Sequence, residues 1–429
     1  MIKQIFKQIW TEHRQNSWIL IELAAVFFFL LVTADFMWIR IKNYSEPKGF
    51  DIEDTFVLKL KTLNPNAPDY VRPQQDPNAI DYLSKEDIAL KSLDDLMSII
   101  NRIKTYPDVM LTSLSIHSAP YSMGGFWNRL KTDTTQTQSM RKRVVTPSYF
   151  EVFRIHTADG KPIIVEEAGY NQIVLTKDVA ELLCGSVQNA IGSEIIDTNE
   201  DLINKVVSVS NLIKKQEFDP YEGAFFEILS TVKLQEWAKE NNITDFNLCV
   251  RVKPGSAKHF QDNFEIEMSD RLRENNLYVA SVIPSAKLRD DIVGKAFRES
   301  ILMMIYVLGF VLIIVFLGVF GTFWLRTSQR RGEIGIRMAM GASKNTIRYS
   351  MIVEGLCLLL ISAIPALIVY LNLLNADVLD TARLQASFER IMIAFLSSLI
   401  VIVIIIVSSI YQPANQAASV PPVEALRDE

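Results

Sequence analysis

The sequence predicts an α-helical membrane protein with four transmembrane helices and a large extracytoplasmic α+β domain. Three observations predict it. The 429 residues contain four long apolar stretches, at 18–41, 301–325, 355–374 and 391–411. Charged side chains make up 22% of the chain yet are almost absent from the last three. Between the first and second stretch lie residues 42–300, where strand-like and helix-like patterns alternate. The apolar fraction of 49% is ordinary for a soluble protein, so its distribution decides. This distribution excludes a wholly soluble enzyme, a disordered chain and a small disulfide scaffold.

A bilayer core of about 30 Å takes roughly 20 apolar helical residues. Residues 301–325 and 391–411 meet that length without a single charge. The third span, 351–374, contains Pro365, which a membrane helix tolerates with a kink. The first, 18–41, is interrupted by Glu22, Asp35 and Arg40. Acids such as Glu22, Asp35 and Glu354 can mark an ion path, but their places near span ends favour contact with water and headgroups. Residues 23–34 have a signal-peptide length, and Val32-Thr33-Ala34 resembles a cleavage site. Apolar character resumes at Phe36, Met37, Trp38 and Ile39, so an uncleaved anchor is expected.

Orientation follows the basic residues of short loops. Residues 1–17 carry Lys3, Lys7 and Arg14, and residues 326–350 carry Arg326, Arg330, Arg331, Arg337, Lys344 and Arg348. The loop 375–390 has Arg383 and Arg390 offset by Asp377, Asp380 and Glu389. Both termini, including the tail 412–429, are therefore expected on the cytoplasmic side of the membrane. Residues 42–300, with a net charge of about −7, are expected outside; long translocated domains do not obey the charge rule.

Residues 1–17 read as an amphipathic helix along the inner interface, with Ile2, Ile5, Phe6, Ile9 and Trp10 on one face. In the outer domain, 56–60 reads as a strand. A helix over 84–105 follows, with Leu93, Leu96, Ile100 and Ile103 on one face, and then a strand at 109–116. Near the other end, 247–252 is a strand. Ser256 can cap a helix whose face is Ala257, Phe260, Phe264, Met268 and Leu272, and 278–283 returns as a strand. Two βαβ-type units thus bracket the domain and predict one α/β lobe built from both ends. The middle reads as a β-rich insert. Its candidate strands are 144–145, 163–165, 173–175, 206–209 and 225–229, with turns at Gly160, Gly192 and Pro220. Residues 119–141 hold few apolar side chains after Trp127 and are expected as a mobile loop. A helix beginning near Ser285 and running to 325 would be about 60 Å long. The resulting expectation is a stalk beneath the outer domain.

Few residues suggest chemistry. Gly160-Lys161 and Gly294-Lys295 are followed by Pro162 and Ala296, so no phosphate-cradling loop is present. His13, His117, His156 and His259 are scattered, and neither HExxH nor GxSxG occurs. No catalytic, cofactor-binding or metal-ligating residue is assigned. Cys184 and Cys249 lie in the outer domain without a spacing pattern, which leaves their pairing open. The informative stretch is 330–343. Ile334, Met338 and Ala342 fall on one helical face, and Arg330, Arg331 and Arg337 can meet headgroups or a protein partner. A plain basic turn would also satisfy the orientation rule.

This stretch resembles the cytoplasmic loop of the MacB/FtsX-like ABC permease family, R-x-x-E-I-G-I-R-x-A-x-G-A. Arg330, Glu333, Ile334, Gly335, Ile336, Arg337, Ala339, Gly341 and Ala342 match it, and Ile347 and Glu354 fit its continuation. The family's C-terminal ending appears as Pro413, Ala414 and Ala417, then Pro422, Val423, Glu424, Ala425, Leu426 and Arg427. Val145 to Phe150, Val174 to Gly192 and Arg251 to Gly255 are similar to phrases of its periplasmic core domain. The third span departs from the family: Ala363-Ile364-Pro365-Ala366 stands where a glycine pair is usual.

The resemblance implies a porter-like α/β lobe with a sabre-like β-rich insert. It implies a stand-alone permease subunit rather than an enzyme, a homodimer or a heterodimer with a related permease, and a separate ABC ATPase that holds the ATP and Mg2+. A periplasmic adaptor and an outer-membrane exit duct are further partners it suggests; nucleic acid is not one. The implied mechanism is mechanotransmission, in which 330–342 acts as a coupling helix and the outer domain exports or releases a peptide, antibiotic or lipoprotein. The alternatives are an FtsX-like regulator of a cell-envelope hydrolase and a membrane receptor.

Overall fold

The computed structural model describes residues 13–72, 83–122, 124–132, 137–166, 171–267 and 272–419. The helices, in chain order, are α1 (His13–Ser45), α2 (Lys85–Lys104), α3 (Lys177–Cys184), α4 (Thr231–Glu240), α5 (Ala257–Glu267), α6 (Lys295–Gln329), α7 (Arg331–Ala339), α8 (Lys344–Asn375) and α9 (Phe388–Ser419). The strands are β1 (Thr55–Thr62), β2 (Val109–Ile116), β3 (Phe126–Lys131), β4 (Gln138–Val145), β5 (Gln172–Thr176), β6 (Glu194–Asp197), β7 (Leu202–Ser210), β8 (Ala224–Ile228), β9 (Phe246–Val252), β10 (Arg273–Glu274) and β11 (Leu277–Pro284). The chain divides into two units, Glu46–Phe297, and Met1–Ser45 with Arg298–Glu429.

In the first unit, β11, β1, β9 and β2 lie side by side, each antiparallel to its neighbour. That order is the split βαβ arrangement. Both βαβ-type patterns of the sequence meet in it, because β9 slots between β1 and β2, and β1 between β9 and β11. Ser84 starts α2 through a capping box: its Oγ accepts from the Asp87 amide, and the Asp87 carboxylate accepts from the Ser84 amide. Leu93, Leu96, Ile99, Ile100 and Ile103 then bury one face of α2 against Leu58, Leu114, Leu248 and Val250 of the sheet. Phe260 and Phe264 of α5 complete this layer. Met268 lies outside the described residues.

The middle of the unit closes on itself. β4 pairs with β3, β3 with β6, β6 with β7, β7 with β5, β5 with β8, and β8 returns to β4. This ring encloses Leu130, Met140, Ile173, Leu175, Val206 and Phe225, and closure removes the sheet edges. β4 also pairs through Val144 and Val145 with β2, so one strand belongs to both the ring and the open sheet.

Two expectations fail here. Residues 119–141 are not one loop, since β3 and the start of β4 form a hairpin within them. Leu130 and Asn128 point inward, a two-residue alternation too short to stand out in a polar stretch. Residues 163–165 form no strand. Pro162 supplies no amide hydrogen, and Ile164 is 86% exposed. Cys184 and Cys249 are both free, and burial pushes the Cys249 thiol up to about 12.

An ion cluster braces the ring. Glu227 on β8 pairs with Lys142 of β4 at 2.6 Å and with Lys233 of α4, and Lys142 also meets Glu200. Burial alone would raise the Glu227 carboxyl, but the charges of Lys142 and Lys233 outweigh it and hold Glu227 below 4.5. The Lys142 ammonium, opposed by burial but favoured by Glu227 and Glu200, is held above 10.5.

In the second unit, α1, α8 and α9 pack together with Val315, Val319 and Phe323 of α6. Among the described residues, four helical segments are long and apolar enough to cross a membrane: Ser17–Ser45, Ser285–Gln329, Lys344–Asn375 and Phe388–Ser419. The last continues past the expected 411, and Pro365 sits inside α8 without ending it. The expected helix from 285 runs without a break to Gln329 and contains a π-helical turn at Asp290–Gly294. α6 bears exposed apolar side chains such as Met303, Tyr306, Phe310 and Leu317, the surface expected of a helix facing lipid or another membrane segment. Residues 1–12 of the expected interfacial helix lie outside the described residues.

Asp35 is not at a wet span end. It is 2% exposed and accepts two hydrogen bonds from Arg390, at 2.6 and 2.7 Å, while Arg390 also donates to the Leu384 carbonyl. This fork-shaped pair ties α1 to α9. Glu22 packs against α6 where Gly318 leaves room; a Cβ there would lie 2.1 Å from Glu22 Oε1.

Two outcomes are expected. Asp35→Asn strips the partner from a buried guanidinium and should cost about 3–5 kcal/mol, whereas Asp35→Leu combined with Arg390→Met should recover most of the loss. Thermal unfolding in detergent reads both. For Glu227 the folded pKa is depressed, so its stabilisation is full above 4.5 and fades as pH falls through the lower folded value. Glu227→Gln should lower stability at neutral pH and flatten the acid limb of a urea-unfolding series.

Candidate functional site

The stretch singled out by the sequence folds as α7 and the turn that follows it. The exit from α7 is a Schellman motif. The Gly341 amide donates to the Met338 carbonyl and the Ala342 amide to the Arg337 carbonyl, both at 3.0 Å. Gly341 has φ +98°, a left-handed conformation that glycine adopts without strain. Ser343 then caps α8, its Oγ accepting from the Thr346 amide at 3.2 Å. The Gly-Ala-Ser sequence is therefore the chemistry of a tight helix-to-helix turn.

One face of α7 is fastened to the membrane helices. Ile334 packs with Ile347 of α8 and with Ala417 and Ala418 of α9, and Met338, Ala342 and Met351 adjoin this cluster. The expected apolar face of Ile334, Met338 and Ala342 is thus the seat of the helix. Gly335 is buried beside it. The small residues of α9 make room for Ile334. Pro413 and Ala414, one turn earlier, are buried in the same helix. Pro422, Leu426 and Arg427 lie outside the described residues.

A second tie is ionic. Glu354 on α8 accepts from Arg326 of α6 at 2.9 Å and from Arg330 at 3.2 Å. Glu354 and Arg326 are 8% and 7% exposed, so the pair is shielded from bulk water. Glu354 is therefore a junction rather than an interfacial carboxylate, and Arg330 turns inward instead of presenting itself to a partner. Gly355 allows the helices to close here: a Cβ would sit 2.3 Å from Ile410 Cδ1 and 3.4 Å from Phe323 Cζ. The same end holds a groove whose walls include Arg326, Arg330, Glu333, Arg337, Ser350 and Glu354.

The other face of α7 is open. Glu333 and Arg337 form an i,i+4 ion pair, with side chains 47% and 44% exposed. Ile336 and Met340, also four residues apart, are 51% and 77% exposed. The side chain of Arg331 lies outside the described set. Sequence reading missed Met340 as a site residue. The signal was present in the Ile336–Met340 spacing, which marks a second apolar stripe opposite Ile334. It also missed Arg326, whose role depends on a carboxylate 28 residues away. The arrangement is a short helix, packed at its back, with an apolar pair and a charge pair in front.

The membrane unit has counterparts among known proteins. Residues 305–422 match the family model described as FtsX-like permease C-terminal. The chain is 26% identical over 201 residues to the lipoprotein-releasing system transmembrane protein LolC of Haemophilus influenzae, covering 44% of this chain and 49% of LolC. It is 24% identical over 302 residues to the ABC transporter permease YtrF of Bacillus subtilis, covering 60% and 66%. To the macrolide export ATP-binding/permease protein MacB of Pasteurella multocida it is 30% identical over 134 residues, covering 30% and 20%. The chain thus spans about half of LolC, two thirds of YtrF and a fifth of this MacB. Among solved structures, the periplasmic region of MacB from Actinobacillus actinomycetemcomitans aligns with a TM-score of 0.33 at 12% identity, covering 58% of this chain and 97% of that one. The FtsX-like match thus runs from α6 to the last described turn of α9 and beyond, and this part of the chain is similar to FtsX-like permeases.

Proposed function

We propose that this chain is a permease subunit that converts ATP hydrolysis in a separate ATPase chain into movement of its outer domain. The observation that carries the proposal is the two-sided character of α7. Its back is fixed by Ile334 and, one residue before the helix, by Arg330 on Glu354. A push on α7 is therefore passed to α6, α8 and α9 rather than absorbed by a loose loop. Its front offers Ile336, Met340 and the Glu333–Arg337 pair to a partner. An apolar anchor beside a charge pair suits a protein surface better than lipid headgroups, which would favour an all-basic face.

In this reading both termini and α7 are cytoplasmic, and residues 42–300 lie outside the membrane. The ATPase binds ATP and Mg2+, closes as a dimer, and displaces α7. α6 leads in sequence to the outer domain through Ser285–Arg289 and the π-helical turn, and it carries the displacement outward. Two permease chains face two ATPases. The spans are apolar, with their few charges paired or pressed against a neighbouring helix, so the substrate is moved or released outside the membrane rather than led through it. Cargo of the lipoprotein, peptide or antibiotic kind is consistent with relatives named for lipoprotein release and macrolide export.

Purification of the tagged chain from its own membranes, with its companions identified by mass spectrometry, tests the proposal. A stoichiometric ATPase is expected. The paired swap Glu333→Arg with Arg337→Glu keeps the helix-stabilising pair but inverts its charges toward a partner. It should remove the ATPase from the eluate while leaving the unfolding temperature within a few degrees of wild type. Met340→Asp should do the same without touching the charges. If both variants retain the ATPase and its coupled activity, α7 is not the docking helix. Gly341→Val forces a branched side chain into a left-handed conformation and should destabilise the turn by roughly 1–2 kcal/mol. Coupled hydrolysis should fall with it, whereas Gly341→Asn should retain more activity.

A further inference from the structure

The outer unit contains a basic cleft that plays no part in the coupling reading. The residues after β2, the middle of β4 and Lys215-Gln216 enclose about 420 Å³, counted with the open mouth. Its polar walls include His117, Ser122, Arg141, Arg143 and Lys215. Arg143 is the anomaly. The residue is 6% exposed, and its Nε is buried without a hydrogen-bond partner. Its guanidinium lies 5.8 Å over the Phe226 ring and interacts with the Tyr149 phenol oxygen, but among the described residues no carboxylate forms an ion pair with it. A buried cation left in this condition is costly unless something else answers it.

The neighbouring acids are already engaged. Glu217 accepts from the Tyr121 hydroxyl at 2.6 Å and pairs with Lys48 at 3.6 Å. Glu222 faces Arg141 at 3.5 Å, and Asp219 accepts from Gln216 at 2.5 Å. Arg141 is further fixed by donating to the Gly124 carbonyl at 2.9 Å. The loop is also held in an unusual shape. His117 and Tyr121 have φ of 46° and 59°, a left-handed conformation uncommon for such side chains. Hydrogen bonds maintain it: Ser122 Oγ donates to the His117 carbonyl at 3.1 Å, and Ser118 Oγ accepts from the Val144 amide at 2.9 Å. Strain held in place by its surroundings, beside a buried cation with no carboxylate partner, points to a preorganised site.

We propose that this cleft binds an oxyanion, a phosphate group held by Arg143 with Lys215 and His117 at its edge. A guanidinium presents forked donors that suit phosphate oxygens, and a phosphate carries more charge and more acceptors than a carboxylate. The phosphate can come from a free anion or from a lipid headgroup. The site lies wholly within the outer unit, and its test does not depend on an ATPase.

The experiment uses the full chain in an uncharged maltoside detergent at low ionic strength. Binding of inorganic phosphate and of a short-chain phosphatidic acid below its micellar concentration is measured by calorimetry, and thermal unfolding is followed with and without each. Saturable binding is expected for at least one probe. Arg143→Met should weaken it by about tenfold or more, Arg143→Lys by less, and Lys215→Gln by about threefold, because charge-assisted contacts are lost in that order. Without phosphate, Arg143→Met should unfold no earlier than wild type, since it removes a buried charge that no carboxylate neutralises; with phosphate it should lose the upward shift. A merely structural arginine would give the reverse pattern. Equal affinity for both probes assigns a free anion, and binding of the lipid alone assigns a headgroup. The proposal falls if the wild type binds neither probe saturably, or if affinity is unchanged in Arg143→Met and Lys215→Gln. Should Arg143→Met fail to fold, unchanged affinity in Lys215→Gln alone overturns it.

Discussion

The α7 end of the membrane unit depends on one carboxylate. Glu354 draws Arg326 and Arg330 inward, and so fixes the last turn of α6 and the start of α7 against α8. Two guanidiniums on one shielded carboxylate leave little freedom for a hinge between α6 and α7. Gly355, the next residue, lets Ile410 and Phe323 close over the same point. Ile334 can then reach Ala417 and Ala418. Charge pairing sets the position, and packing makes it stiff. Without the first, the second would have no fixed partner.

Buried ion pairs recur where elements distant in sequence must be held together. Asp35 and Arg390 join the first and last membrane helices across 355 residues of chain. Glu227 joins β8 to β4 and to α4. Such pairs are no surer a source of stability than apolar contacts, but they are selective. A helix that slid by one residue would leave a charge unanswered in a medium that punishes it. In the membrane unit, where helix surfaces are nearly uniform in hydropathy, this selectivity fixes a register that apolar packing alone leaves loose.

Sequence reading succeeded where a single periodicity governs an element. The membrane helices, α2 with its Ser84 cap, and β1, β2, β9 and β11 were legible because burial on one face leaves a regular pattern. It failed where the pattern is set by tertiary partners. The hairpin of β3 and β4 carries Asn128, Arg141 and Lys142, polar residues that are buried only because Asp197, Glu222 and Glu227 lie opposite. Residues 163–165 looked like a strand because nothing local shows that no neighbour waits for them. Around α7, the packing of Ile334 and the turn at Gly341 and Ala342 were legible, since helix periodicity and turn chemistry are local. The inward turn of Arg330 was not, because it needs Glu354.

The double membership of β4 bears on the order of folding. β1 and β9 are neighbours in space but about 190 residues apart in sequence, with the whole six-stranded ring between them. Their contacts carry a large loop-closure cost until that intervening chain is compact. The ring, by contrast, closes within about 100 residues, from β3 to β8. Once it closes, the shared strand presents Val144 and Val145 as a finished edge for β2. The insert therefore serves the lobe as a template on the emerging chain: the outer domain assembles from its middle outward, and its two ends meet last.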